Sequence, residues 1–535
     1  MGAPTQVARD SPSYVGDPFA RRLARVVACA ALLIGIAFPA ATTFIGDDHL
    51  FLAFARYAPN PLLGFVRDLH GGEFYRPVPM LLWWVLGRAA GGSKLPFAIL
   101  SFALHAVAAW EVGVLVLEIR RDKRSSPGVR AGAIAAALFF LAPVTQEAAF
   151  WYAASTDLLA TVFALAAVIA SLRDRLWRAA LLFAVACWSK ESAVVVPALA
   201  AVALRAQEPG RGWRAIAARA GCLLPVVGVY AVARFAVLGG IGRSGDIQTS
   251  AVGKLVQILS GLAHAPTGSV ITHEGIAWLI GLATWGLLAI TAARARWRSR
   301  GPEPEEAVAA LKPVPALAWM LVAVAPLLAA PWIVGARYFY LPAVGLAWLA
   351  AEVLARARTV IVVGVLAALA GLDAAQFAGR SADIRSYDAR LAAARRAVAD
   401  GLAHGFNTFH VAAGIKDLDL AVKEDPRFAP HESDLVVIGD VPASFAALPR
   451  ARMSELDFLV ARPPLPPAGA YAFGDRRVVG LARRGDDPSL DEVLGRLPHM
   501  RFIRLRLGPG GRIITRDVTD TLRGSDPDSA PDTSK

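Results

Sequence analysis

Asp47 and Asp48 follow the first apolar run of the chain directly, with His49 beside them. Glu73, Tyr75 and Arg76 come a short way on. Glu147, Asp157, Lys190, Glu191 and Arg337, the last with Tyr338 and Tyr340, fall within a turn or two of the ends of later apolar runs. Ionisable groups beside hydrocarbon are costly unless they pair or line an aqueous cavity. A mixed set of carboxylates and cations at such a depth has the makings of proton transfer next to a bound anion. Each residue also has a plainer reading. A charge at a span end anchors at the interface, as Arg337 with Tyr338 would. Lys190 and Glu191 can pair with each other at a helix break, and Asp157 can bond to Thr161 four residues on. His105, on an apolar run, reads as a core group.

The elements that must position these residues follow from composition. The chain has 535 residues, is 56% hydrophobic and only 19% charged, and has a mean hydropathy of +0.47. That much apolar surface does not fit inside one soluble core and requires lipid. The net charge of +13 resides in Arg clusters between apolar runs, where a cytoplasmic leaflet attracts them, so it reads as topology rather than as nucleic-acid binding. Cys29, Cys187 and Cys222 all lie in apolar stretches and read as small buried hydrophobes, not as a disulfide or metal set.

Apolar runs lie at 24–44, 96–119, 131–149, 152–172, 176–189, 191–204, 215–238, 274–293, 314–331, 338–354 and 359–376, which predicts eleven spans. Arg21, Arg22 and Arg25 before the first run place residues 1–23 in the cytoplasm, although a cleaved signal peptide is the rival reading of that run. Pro77 to Gly87 is too short to cross and reads as an interfacial helix with Trp83 and Trp84 at headgroup level. With it set aside, the basic gaps at 120–130, 173–178, 205–214, 294–300 and 356–358 all fall inside. The loops 45–95 and 239–273, the turn at 332–337 and everything after 376 then fall outside. The predicted fold is a mainly α polytopic bundle over 24–376. A small extracytoplasmic α/β domain follows over 377–522, with an amphipathic helix around 384–403 and strands at 407–412, 434–438 and 502–507, and a disordered tail occupies 523–535.

Five strings occur in an order that resembles the GT-C superfamily of membrane glycosyltransferases: GDDHLF, EFYRPVP, APVTQEAAFWYAASTDLLA, WSKESAVVVPAL and ARYFYLPAVG. The nearest likeness is to the bacterial relatives of the protein O-mannosyltransferases, and of the transmembrane O-mannosyltransferases that carry tetratricopeptide repeats. It covers roughly residues 20 to 355, and no such repeats follow residue 376. The resemblance implies a bacterial inner-membrane enzyme and a polyprenyl-phosphate-linked sugar as donor. It further implies an acceptor protein, glycan or lipid on the outer face, and inversion at the anomeric carbon. By the same resemblance Asp47 is the catalytic carboxylate of the pair.

In such a reaction a carboxylate takes the acceptor's proton while cations hold the departing phosphate. Asp47 or Asp48 is the base, since neighbours on a helix diverge by about 100° and one of them faces the sugar. Arg76, Lys190 and Arg337 are the phosphate contacts, an arginine being able to fork two phosphate oxygens. Tyr75, Tyr338 and Tyr340 supply hydroxyls or stack on the sugar, and Glu73, Glu147, Asp157 and Glu191 complete the binding set. A divalent cation held by Asp47, Asp48 and His49 stays open, although their spacing is not a recognisable ligand set. A transporter or flippase for a lipid-linked or anionic substrate is the reading from another class. No internal repeat is visible, however, and the charges gather at one face rather than at the midplane. The topology predicts that Ser444→Cys reacts with an impermeant thiol reagent in intact cells and Ser126→Cys does not; labelling of the Ser126 position alone would invert the assignment.

Overall fold

The computed structural model describes residues 74–90, 93–120, 126–240, 251–266, 313–329 and 335–403, with shorter stretches between 22 and 66 and between 279 and 290, and a set of strands after residue 407. The chain is mainly helical. Among the described residues, four helices are long and apolar enough to cross a membrane: Leu95–Arg120, Tyr152–Leu172, Trp213–Leu238 and Thr359–Ala382. A fifth crossing is available if Gly128–Phe140 and Pro143–Phe150, bent by 53° at their junction, act as one span. Leu176–Ser189 and Val314–Leu328 are shorter apolar helices. These features are those of an integral membrane protein.

In chain order the described helices are α1 (Pro77–Ala90), α2 (Leu95–Arg120), α3 (Ser126–Phe140), α4 (Gln146–Phe150), α5 (Ser155–Leu172), α6 (Leu176–Ser189) and α7 (Val196–Gln207). Next come α8 (Trp213–Gly221), α9 (Leu224–Leu238), α10 (Ala251–His264), α11 (Pro313–Val324), α12 (Tyr340–Leu354) and α13 (Thr359–Ala403). Helix α5 is central: 89% of its span is buried, against 11% of the span formed by α8 and α9 and 17% of that at the start of α13. The last two present Val229, Val232, Phe235, Val360, Ile361 and Val363 outward, the surface a bilayer would cover. Without a hydrophobic drive between helices in lipid, close approach depends on small residues. Helices α2 and α3 meet through Gly113 and Gly132, where an added Cβ on either would lie 2.9 Å from the other's carbonyl oxygen.

The ion pairs sort to two opposite ends of this bundle, while Glu111 is buried within the body of α2. At one end Arg120 pairs with Glu352 at 2.7 Å, Arg173 with Glu118 at 2.7 Å and Arg219 with Asp174 at 2.8 Å. Arg130 donates to the Ala357 carbonyl at 2.8 Å and Gln207 to that of Glu118 at 2.9 Å. The basic gaps after α2, α5, α7 and α12 thus come together. The other ends of the same helices carry the turns Pro143–Thr145, Tyr152–Ala154, Glu191–Val195 and Ala336–Phe339, all 3-10 in geometry.

Several expectations change. Pro77 to Gly87 does form a helix, but Trp83 is buried rather than at headgroup level, because its indole N–H donates to Ser155 at 3.1 Å and its ring stacks on Phe51. Trp84 instead lies under the Arg88 guanidinium. The glycine-rich loop 239–273 contains α10, an amphipathic helix. The last span and the helix expected around 384–403 are one continuous 45-residue helix, α13. At 1.5 Å per residue it is about 68 Å long, twice what hydrocarbon requires. Of the cysteines only Cys187 is buried; Cys29 and Cys222 are exposed, since an apolar run does not say which of its faces meets lipid.

Strands occupy Thr408–Val411 (β1), Val436–Gly439 (β2), Leu456–Ala461 (β3), Tyr471–Phe473 (β4), Arg476–Arg483 (β5), Phe502–Leu507 (β6) and Ile513–Asp517 (β7). β1 pairs in parallel with β2 and β6, β6 is antiparallel to β7, and β5 lies antiparallel between β3 and β4.

The glycine contact gives a direct test. Gly132→Ala places a Cβ 2.8 Å from Leu117 and 2.9 Å from the Gly113 carbonyl, and should destabilise the detergent-solubilised protein by about 1–3 kcal/mol, the usual cost of overpacking. Gly364→Ala, which meets nothing within 4 Å, should leave the melting temperature unchanged or raise it.

Candidate functional site

Three ion pairs meet at the end of the bundle that carries the 3-10 turns. Arg76, just ahead of α1, forks Glu191 with Nε and Nη2 at 2.9 and 2.5 Å. Lys190 Nζ reaches Asp157, in the first turn of α5, at 2.5 Å, with both side chains almost wholly buried. Arg337 Nη1 reaches Glu147, in α4, at 3.2 Å.

Backbone geometry at a helix break divides the first two pairs. Lys190 caps the end of α6 with φ −158° and ψ 138°. In extended backbone successive side chains point to opposite sides. Lys190 and Glu191 therefore diverge, and do not pair with each other as their adjacency suggests. Asp157 is likewise drawn to Lys190 across the bundle rather than to Thr161 on its own helix. Burial lowers the Lys190 ammonium below its usual range; Asp157 and Glu191 oppose this, while Arg76 and Arg337 add to it. All five charges are thus electrostatic neighbours.

Aromatic rings hold the cations in place. The Arg337 guanidinium lies 4.1 Å from the Trp151 ring centroid and 4.8 Å from that of Tyr338, and Nη2 donates to the Tyr338 hydroxyl at 3.2 Å. Lys190 Nζ sits 4.5 Å over the same Tyr338 ring, and Arg76 lies 4.2 Å over Phe74. A cation over an aromatic face is held electrostatically by the ring quadrupole. Tyr338 thus links two of the three pairs. A narrow cleft lies beside it, with Asp157, Thr161, Ser192, Ala323, Leu327 and Tyr338 among its lining residues.

Not every candidate joins this cluster. Tyr340 is buried and bonds to His105 Nδ1 at 2.8 Å, while His105 Nε2 meets the Phe140 carbonyl at 3.1 Å, so both serve the core. The Tyr75 hydroxyl donates to the Phe65 carbonyl at 3.0 Å. Asp48 is fully buried, and its Oδ1 accepts the Ala153 N–H at 2.5 Å. That N–H belongs to the turn leading into α5, where the first amides lack helical partners and a carboxylate is favoured. Asp47, His49 and Glu73 lie outside the described residues. Among the described residues no three His, Cys, Asp or Glu side chains gather as a metal would need.

Trp151, Ser192 and Gly335 belong to the site without having been singled out by sequence. Ser192 follows Glu191 directly and Trp151 lies four residues after Glu147, both within the quoted strings, and that proximity was the available signal. Gly335 matters by what it lacks: an added Cβ would lie 3.2 Å from Glu147 Oε1.

Family models, curated proteins and solved structures were all compared with the chain, and none matches it.

The Lys190–Asp157 pair is buried deeply enough to test by stability. Lys190→Met strands a buried carboxylate and should destabilise the protein by about 3–5 kcal/mol, and adding Asp157→Asn should recover most of the loss. Thermal unfolding of the two single variants and the double variant in one detergent reads the coupling; additive losses would show that the pair does not interact.

Proposed function

We propose that the chain is a membrane glycosyltransferase that moves a sugar from a polyprenyl-phosphate donor to an acceptor on the extracytoplasmic face, with inversion at the anomeric carbon. The observation that carries this reading is the gathering of Arg76, Lys190 and Arg337, from three separate segments, at one end of the bundle, each paired with a carboxylate and two of them against the Tyr338 ring. A cluster of cations each paired with one carboxylate, at the edge of an apolar bundle, suits a phosphate carried on a lipid tail. The resemblance of the five strings to the GT-C superfamily points the same way, and four of them supply residues of the cluster.

In this reading the acceptor hydroxyl loses its proton to a carboxylate as its oxygen attacks the anomeric carbon. The bond from that carbon to the phosphate oxygen breaks, and the polyprenyl phosphate leaves with the electron pair. Arg76, Lys190 and Arg337 meet the charge that develops on it. Asp47 is the base. Asp48, through the Ala153 N–H, is tied to the turn that leads into α5, the helix whose first turn carries Asp157. The eleven-span topology follows, with residues 1–23 cytoplasmic and the ion-pair cluster outside. The strands after residue 407 form a small α/β domain on the same outer side.

Transfer of radiolabelled sugar from polyprenyl-phosphate sugars to membrane extracts tests the activity, since a transporter or flippase releases no glycosylated product. Asp47→Asn should lower turnover by about 10²- to 10⁴-fold with donor binding retained, and Asp48→Asn should act through geometry. Parental transfer by the double Asp47→Asn, Asp48→Asn variant would refute the assignment. Arg337→Lys keeps the charge but loses the planar fork, and should weaken transfer at subsaturating donor; full activity there would return Arg337 to the role of an interface anchor.

A further inference from the structure

The three ion pairs differ in how firmly each cation is bound to its carboxylate. Arg76 and Glu191 meet at two points, the strongest geometry available to the pair. Lys190 and Asp157 meet at one point, but their side chains are only 4% and 8% exposed. Arg337 and Glu147 meet at one point and at 3.2 Å, the longest of the three contacts, with side chains 23% and 20% exposed. Arg337 does not need Glu147 to stay where it is. Trp151 and Tyr338 contact its guanidinium with their rings, and the Tyr338 hydroxyl accepts a hydrogen bond from Nη2. Of the five N–H donors of this side chain, then, those on Nη1 face a carboxylate that water can reach.

Glu147 also stands on a short element. It lies in α4, a five-residue helix beyond the 53° bend, rather than in the body of a span. Its carboxylate rests against Gly335, the residue that opens the turn carrying Arg337, where the missing Cβ leaves it space.

We propose that Glu147 is a placeholder anion: it occupies Arg337 in the empty site and is displaced by the phosphate of an incoming ligand, while Asp157 and Glu191 keep Lys190 and Arg76 in register. This rests on the reading of the cluster as a phosphate site and assigns an order of events within it. Glu147 then sets the affinity for the anion by competing with it, so its removal tightens binding, whereas loss of a residue that contacts the ligand favourably would weaken it.

Binding of undecaprenyl phosphate and of inorganic phosphate to the full chain in lipid nanodiscs separates the outcomes. Glu147→Gln should bind the phosphate about 3- to 10-fold more tightly than the parent, the scale of one part-exposed ion pair. Glu147→Asp, which retracts the carboxylate by one methylene, should give a smaller gain in the same direction. Adding Arg337→Gln to Glu147→Gln should abolish the gain. A gain for both titrants supports recognition of the headgroup alone, and a gain for the lipid alone supports a seat that also needs the apolar tail; either outcome supports the placeholder. Equal or weaker binding by Glu147→Gln, with the parent binding well, overturns the placeholder and leaves the glycosyltransferase reading intact. If neither the parent nor any variant binds either phosphate, both readings fall.

Discussion

A charge placed beside hydrocarbon must be paired or set at the edge of the slab, and every ion pair described above obeys that constraint. At one end the arginines after α2, α5 and α7 are tied to Glu352, Glu118, Asp174 and backbone carbonyls; at the other, Arg76, Lys190 and Arg337 are tied to Glu191, Asp157 and Glu147. Between the ends the helices are held by small residues such as Gly113 and Gly132 and by buried rings. The same rule shapes both polar ends, but to different effect. The first end joins helix termini by pairs that span the bundle and lock it. The second brings its charges around a cleft.

The difference lies in the backbone between helices. Regular helices leave their end amides and carbonyls to be satisfied nearby, and irregular turns survive at membrane depth only where protein or an aqueous cavity receives them. The turns at Pro143–Thr145, Tyr152–Ala154, Glu191–Val195 and Ala336–Phe339 meet this condition together. Asp48 takes an amide from one of them, and Lys190 opens another in extended conformation. Glu191 and Arg337 sit in two of these turns and Lys190 immediately before one of them, while Glu147 and Asp157 lie in the first turn of the helices that follow the other two. A site made this way gets its precision from the rigid spans on either side and its unusual side-chain directions from the breaks between them.

Where the apolar run was unbroken, the sequence described the element well: α2, α5 and α6 coincide with runs read directly from the residues. Strand β6 was placed to the residue, because Phe502–Leu507 alternates between apolar and basic positions. Helix α10 was hidden, because Lys254 and Gln257 interrupt its apolar residues and the glycines before it suggested only a loop. The site was legible as a set of residues and illegible as a set of pairs. Arg76 and Glu191 are 115 positions apart, and nothing local connects them. Adjacency even misled for Lys190 and Glu191, since only the extended backbone at Lys190 reveals that they face different partners. Trp83 was misplaced for a related reason: amphipathic aromatics favour the interface in general, yet Ser155 on α5 offered this one a buried partner.

Three cations answered by three carboxylates leave the resting cluster without net charge. That neutrality lets the cluster exist beside lipid in the absence of a ligand, and it also means that an anion cannot enter without altering some pair. An open cluster of cations would attract phosphates of every kind and would repel itself when empty. A fully locked one would bind nothing. Unequal pairing resolves the conflict: the two-point Arg76–Glu191 contact and the buried Lys190–Asp157 contact keep the geometry, and the single long contact to Arg337 is the one whose partner can be exchanged. Because Trp151 and Tyr338 hold the guanidinium independently of Glu147, the exchange costs no loss of order at the cation itself. In the proposed anion site the aromatic rings are therefore as much a part as the charges they support.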